Sequence, residues 1–141
     1  MAFVVEMIGK PDAVGRRFFC CSATNWRQVL QLGLDWGWQP AGTSSDNAWK
    51  NDWEQYGRFS ADYECDEWGK SVSAADATAL AEALERASRQ PLPKFERGPT
   101  LLREDVTADE ARMANANLDA GSLGELIRFL RRGEFTFLWD D

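Results

Sequence analysis

The sequence of residues 73–89, SAADATALAEALERASR, gives the clearest helix signal in the chain, and the elements around it decide the fold. Apolar residues recur there at helical spacing and form one continuous stripe: Ala77, Leu80, Ala81, Leu84 and Ala87. Ser73 and Asp76 resemble a capping box, in which the serine hydroxyl accepts from the third amide and the acid reaches back. Since the stripe contains small residues, we expect this helix to lie close to a sheet or another helix.

Strand patterns stand at both ends of the chain. Residues Ala2–Ile8 alternate between two faces, and turn-forming residues follow at 9–12. A second apolar run, Arg17–Ser22, is expected to pair with the first in an antiparallel hairpin. Residues Phe135–Trp139 also alternate, which predicts a terminal strand that pairs with the N-terminal one.

A helix is expected between the hairpin and the central segment of the chain. Apolar residues at helical spacing extend from about Thr24 to Asp35. Thr24 is a plausible N-cap, and Ser22 is the alternative. The helix should end near Gly37, because glycine favours the left-handed conformation that closes helices.

Two further capping patterns follow the 73–89 helix. Thr107 and Glu110 predict a short helix through Ala116, and Ser122 and Glu125 predict a helix that ends at Gly133. Together these patterns predict an α+β fold. Its small antiparallel sheet includes both terminal strands and at least one more, and packs against three or four helices.

Length and composition indicate a single domain that covers residues 1–141. With 44% apolar and 28% charged residues, a chain of this size needs no metal or disulfide to fold. No signal peptide or membrane-length apolar stretch is visible, and three cysteines do not form a secreted framework. The expected location is therefore the cytoplasm.

The charge balance argues against a nucleic-acid partner. The net charge is -7 and the isoelectric point is about 4.7. Phosphate neutralisation needs a basic stripe, and the sequence offers only the isolated pairs Arg16-Arg17 and Arg131-Arg132. We interpret both pairs as solvated helix ends or turns.

Ser44–Val72 is the segment most suggestive of function. It contains six aromatic residues, and seven acids against three bases. Tryptophan and tyrosine are favoured interface anchors, and carboxylates around them steer a basic partner. The candidate partner-binding residues are Trp49, Trp53, Tyr56, Asp62, Tyr63, Glu64, Asp66, Glu67 and Trp68. The alternative interpretation is that most of the aromatic residues fill the core: Trp26, Trp36, Trp38, Trp49, Trp53, Trp139 and the phenylalanines.

Several chemistries are disfavoured. The chain has no histidine, which excludes Ser-His-Asp and Cys-His arrangements, and acidic neighbours suppress the reactivity of Cys65. Asp62, Glu64 and Asp66 alternate like the start of a calcium loop, but Glu67 replaces its glycine and Ser73 its closing glutamate. Carboxylates with tryptophans suit glycosidic acid-base work, yet no pair stands out. We therefore expect no enzyme activity, cofactor or metal.

A resemblance extends over most of the chain. It is carried by Tyr63 through Asp66, Gly69 and Val72-Ser73 to Asp76-Ala77, Leu80-Ala81 and Ala83-Leu84-Glu85, with Gly37–Thr43 before it and Phe129-Leu130, Gly133 and Phe135 after it. This pattern is similar to one in small uncharacterised bacterial proteins. The resemblance implies a bacterial origin and no particular activity. In size and acidity the chain also resembles, in type only, immunity proteins that block toxins.

Three hypotheses about function follow. The first is an acidic protein-binding module, an immunity-type inhibitor that occludes a basic site on a toxin or enzyme. The second is a small-ligand-binding domain with a tryptophan-lined pocket. The third is an acidic mimic of nucleic acid, which needs carboxylates spaced like phosphates. The sequence does not determine the oligomeric state.

Overall fold

The computed structural model describes residues 4–40, 70–96 and 106–140. Within these ranges the chain forms strands β1 (Val4–Gly9) and β2 (Phe18–Ser22), helix α1 (Ala23–Asp35), strand β3 (Lys70–Val72), helices α2 (Ala74–Ser88), α3 (Ala108–Asn115) and α4 (Ala120–Arg131), and strand β4 (Phe135–Asp140). The predicted α+β class is confirmed.

The strands form one antiparallel sheet in the order β2-β1-β4-β3. Strand β1 lies inside the sheet, where Val5 pairs with Cys21 on one side and with Trp139 on the other. The predicted hairpin and the predicted pairing of the two terminal strands are both confirmed. Strand β3 supplies the additional strand and pairs with β4 at Ser71 and Thr136.

The helices and the sheet share one apolar core. Helix α2 packs against α1 and α4, and α3 packs against the edge strand β2. On α4, the ring of Phe129 lies 6.2 Å from that of Phe19 and 5.4 Å from that of Phe135. The largest fully buried side chains are Trp26, Phe129, Met7, Leu30, Leu80, Leu84, Leu123, Leu126 and Leu130. The predicted stripe of α2 is buried along its whole length.

The cap of α1 is Ser22, the alternative that the sequence left open, and the expectation of Thr24 is wrong. The Ser22 hydroxyl accepts a hydrogen bond from the Asn25 amide at 3.1 Å, and its backbone is extended. Ser22 is also the last residue of β2. Strand therefore passes directly into helix, which places Thr24 inside the first turn.

Ser22→Ala should lower the free energy of unfolding by about 1 kcal/mol, because a buried N-cap hydroxyl is removed. Thr24→Ala is the matched control, and should change it by no more than about 0.5 kcal/mol. Urea denaturation of both variants checks this. Equal losses would show that the hydroxyl of Ser22 contributes nothing as a cap.

Helix α4 begins earlier than the Ser122 capping pattern predicts. Its N-cap is Asp119, whose carboxylate accepts from the Ser122 amide at 2.9 Å. An aspartate oxygen is as good a cap as a serine hydroxyl, so Asp119 begins the helix one turn sooner. The caps predicted at Ser73 and Thr107 are confirmed, and Gly133 ends α4 at a φ of 109°.

The tryptophans divide between core and surface. Trp26 and Trp38 are 1% and 4% exposed, as the core interpretation predicts. Trp36 is 37% exposed, so its assignment to the core is wrong. It follows the last turn of α1, and the left-handed Gly37 then redirects the chain so that Trp38 enters the core instead. The side chain of Trp139 lies outside the described part of the structure.

None of the helices in the described ranges combines the length and apolarity that a bilayer crossing requires.

Candidate functional site

The predicted partner-binding residues lie outside the described ranges. All nine belong to the 41–69 stretch: Trp49, Trp53, Tyr56, Asp62, Tyr63, Glu64, Asp66, Glu67 and Trp68. The spacing of Trp49, Trp53 and Tyr56 also predicts a short helix that opens at Ser45 or Asp46 and closes at Gly57. It is followed by the expected extended residues Phe59–Tyr63 and acidic loop Asp62–Gly69, and all three predictions lie outside the described ranges. What the structure gives is the place where the two ends of this stretch are attached.

The chain enters the stretch by running along α2. After α1, the backbone carbonyl of Trp36 accepts a hydrogen bond from Arg86 at 2.8 Å. The indole of Trp38 then donates to the backbone carbonyl of Asp76 at 3.1 Å. Since Arg86 lies in the last turns of α2 and Asp76 in its first, residues 36–40 run towards the N-terminal end of α2.

The chain leaves the stretch at that same end. Residues Lys70–Val72 form β3, Val72 is 2% exposed, and Ser73 caps α2. Trp38 and Pro40 before the stretch are buried, as is Val72 after it. The described residues that flank the 41–69 stretch are therefore both anchored at α2: Trp38 by its hydrogen bond to the Asp76 carbonyl, and Ser73 as the N-cap.

A second candidate lies at the β1–β2 hairpin, which composition alone did not single out. One carboxylate oxygen of Asp12 accepts from the amides of Val14 and Arg16, both at 2.9 Å. Gly15 adopts a left-handed φ of 89°, and the Gly9 amide donates to Arg17 at 2.7 Å. These bonds order the loop and leave Val14 82% exposed at its tip.

Arg132 joins this loop to the end of α4. Its guanidinium donates to the carbonyls of Lys10 and Arg16 at 3.0 and 2.8 Å, and lies 4.9 Å from the centroid of the Phe129 ring. Arg131-Arg132 lies at the end of a helix and Arg16-Arg17 in the hairpin loop, as predicted, but the Arg132 side chain is bound to the hairpin and not simply solvated. The antiparallel pairing of β1 with β4 brings the end of β1 beside the start of β4. The hairpin loop that follows β1 therefore lies next to Arg132, which precedes β4.

Two grooves flank the hairpin loop. The first, which we call the arginine groove, has a volume of about 460 Å³. Its lining includes Arg16, Phe18, Phe19, Met113, Arg128 and Arg132, together with the acids Asp12 and Glu125. The second has a volume of about 340 Å³ and includes Ile8, Lys10, Arg17 and Glu134. Neither is lined by a tryptophan of the described ranges, so the predicted tryptophan pocket finds no support among those residues.

Two carboxylates of the described ranges have a lowered pKa. For Asp12, the hydrogen bond from the Arg16 amide is the main cause, and the charges of Arg132 and Arg16 add to it. For Asp119, the main cause is the hydrogen bond from the Ser122 amide. Each bond favours the ionised carboxylate, so folding holds both groups charged at lower pH than in the unfolded chain.

We expect these two groups to contribute to acid unfolding. A carboxylate whose pKa is depressed by folding stabilises the fold above its unfolded pKa of about 3.9, and that contribution disappears as the pH falls through the folded pKa. Asp12→Asn/Asp119→Asn should therefore lose less stability than wild type between neutral pH and pH values below about 4. Urea denaturation across that range tests this, and an unchanged slope would contradict it.

The two cysteines of the described ranges are placed where a thiol is not reactive. Cys20 and Cys21 are buried free thiols, as the apolar run predicts. The Cys20 thiol donates to the carbonyl of Glu110 at 3.1 Å, and burial raises the pKa of the Cys21 thiol. Cys65 lies outside these ranges, which also contain no cluster of three potential metal ligands.

An amide cluster on α1 is polar but structural. The Nδ2 atom of the buried Asn25 side chain lies 3.0–3.2 Å from three acceptors, the side-chain oxygens of Gln28 and Asn117 and the carbonyl of Glu96, and its two hydrogens donate to two of them at a time. Asn117 in turn donates to the carbonyl of Phe95. These bonds hold the residues after α2 and α3 against α1. In the sequence, Asn25 is visible only as a polar residue beside Trp26 on the buried face of the helix. That pattern does not indicate its partners, which are distant in the chain.

Within the described ranges, the geometry defines an α+β fold with a four-stranded antiparallel sheet and an arginine-lined groove. The chain shows no significant match to a protein family, a curated protein or a solved structure.

Proposed function

We propose that this protein is an acidic protein-binding module of the immunity or inhibitor type, which occludes a basic site on a bacterial toxin or enzyme. The observation that supports this most is the attachment of the acidic, aromatic segment. Seven of the 23 acids and six aromatic residues lie between Ser44 and Val72. On either side of residues 41–69, the Trp38 indole donates to the Asp76 carbonyl and Ser73 caps α2, so the described flanking residues are anchored at the N-terminal end of that helix.

The mechanism that we propose is occlusion. Carboxylates such as Asp62 and Asp66 pair with arginines and lysines of the partner, while an aromatic residue such as Trp68 fills its cleft. Charge pairs at the rim raise the association rate, and a desolvated aromatic anchor slows dissociation.

The test measures how binding affinity depends on salt concentration, for wild type and for a variant in which two of the acids are replaced by lysine. A partner is captured from lysate of the source organism at low salt, purified, and titrated against wild type and Asp62→Lys/Asp66→Lys. We expect wild-type affinity to fall with ionic strength, because a Debye length shrinks from about 10 Å at 0.1 M to about 3 Å at 1 M. The reversed pair should weaken binding by about tenfold or more and slow association.

Asp35→Lys/Glu82→Lys is the matched control. Both residues are exposed, lie in the described helices, and the variant has the same net charge. It should bind the partner almost as tightly as wild type. The free energy of unfolding of each variant should lie within about 0.5 kcal/mol of the wild-type value. Salt-independent binding, or equal weakening by the two variants, would contradict the proposal.

A further inference from the structure

We infer that the arginine groove binds a small organic anion: a phosphate or carboxylate carried on an aromatic or aliphatic body. This site is separate from the acidic segment, and its residues come from three parts of the fold. The hairpin supplies Arg16 and Phe18, α3 supplies Met113, and α4 supplies Arg128.

The groove has the two kinds of lining that such a ligand needs. The half-buried Phe18 gives an apolar surface, and the nearly buried Phe19 and Met113 form the floor beneath it. Guanidinium groups stand around it, and arginine is the side chain best shaped to bind phosphate or carboxylate. Its volume of about 460 Å³ lies within the range of ligand sites, about 300–1,000 Å³.

The acids of the groove are already engaged. Asp12 accepts two amide hydrogen bonds within the hairpin, as described above. Glu125 lies 3.9 Å from Arg112 on α3. Glu125 therefore has a cation of its own, while Asp12 offsets part of the charge of Arg16 and Arg132, which help to lower its pKa. Neither interaction involves Arg128.

Arg128 is the cation left for a ligand. It is exposed, and it forms no ion pair or hydrogen bond with any residue of the described ranges. It lies one helical turn before Arg132, on the same face of α4. Arg132 is held by the hairpin carbonyls, and Arg16 lies 3.6 Å from Asp109. Arg128 therefore supplies the mobile contact, and Arg132 a fixed charge beside it.

The experiment is a titration of the full chain with phenyl phosphate and with benzoate at low ionic strength, followed by amide NMR shifts. We expect saturable shifts centred on residues 12–19 and 125–132. Whichever probe binds more tightly identifies the preferred anionic group. Inorganic phosphate should bind more weakly than phenyl phosphate, because it gains nothing from Phe18, Phe19 and Met113.

Arg128→Gln should raise the dissociation constant by about five- to tenfold, because a charge-assisted hydrogen bond is lost at a partly exposed site. Arg89→Gln, an exposed arginine at the end of α2, should leave it unchanged. Circular dichroism should show both variants folded as wild type, since neither side chain has a partner in the described ranges. Four results would overturn the inference: no saturable shift at millimolar probe, shifts centred elsewhere, equal binding by Arg128→Gln, or equal affinity for inorganic and phenyl phosphate.

Discussion

Phe129→Ala should lower the free energy of unfolding by about 3–5 kcal/mol, the loss typical of a large aromatic residue removed from a packed core. Phe129 is 2% exposed and packs against the sheet. Its ring meets Phe19 on β2 and Phe135 on β4, and Arg132 lies over it. The cavity would therefore open where α4 packs on the sheet.

Urea denaturation measures this loss, and a surface residue provides the control. Val14→Ala removes apolar atoms from a side chain that is 82% exposed, and should cost no more than about 0.5 kcal/mol. Phe129→Leu should fall between the two, because it fills part of the cavity. Since domains of this kind have only about 5–15 kcal/mol of stability, Phe129→Ala should also show a much lower melting temperature. A loss no greater than that of Val14→Ala would contradict the packing of α4.

Gly33→Val should cost about 1–3 kcal/mol, because α1 and α2 have no space for a side chain there. A Cβ atom at Gly33 would lie 2.5 Å from Cδ1 of Leu80 and 3.3 Å from Cε3 of Trp38. Leu80 is 1% exposed, so its methyl group has little room to move. Displacement of Trp38 would also disturb the attachment of the acidic segment.

A double-mutant cycle identifies the cause. Leu80→Ala removes the clashing methyl group, so Gly33→Val should cost at least about 1 kcal/mol less in that background than in wild type. Gly124→Val is the matched control on α4, where the nearest atom to a new Cβ is the flexible end of Arg128 at 3.5 Å. Its effect should stay within about 0.5 kcal/mol. Additive effects of Gly33→Val and Leu80→Ala would show that close packing is not the reason for the glycine.

The candidate sites differ in how far sequence reveals them. The acidic segment is contiguous, so its charge and aromatic content were visible by inspection. The arginine groove combines residues about a hundred positions apart, such as Arg16 and Arg128. Each arginine pair looked like an ordinary solvated end because its partners come from another part of the chain.

The sequence by itself determined the α+β class, the main elements and most helix ends. Those features depend on short-range physics: apolar periodicity, hydrogen bonds between a cap and an amide three residues on, and glycine's access to left-handed backbone. Even there, the choice of Ser22 over Thr24 depended on where β2 ends. Only the tertiary structure decided that Arg132 joins the hairpin and that the Trp38 indole donates to the Asp76 carbonyl on α2. Both contacts follow from long-range pairing of strands and helices, which no local pattern encodes.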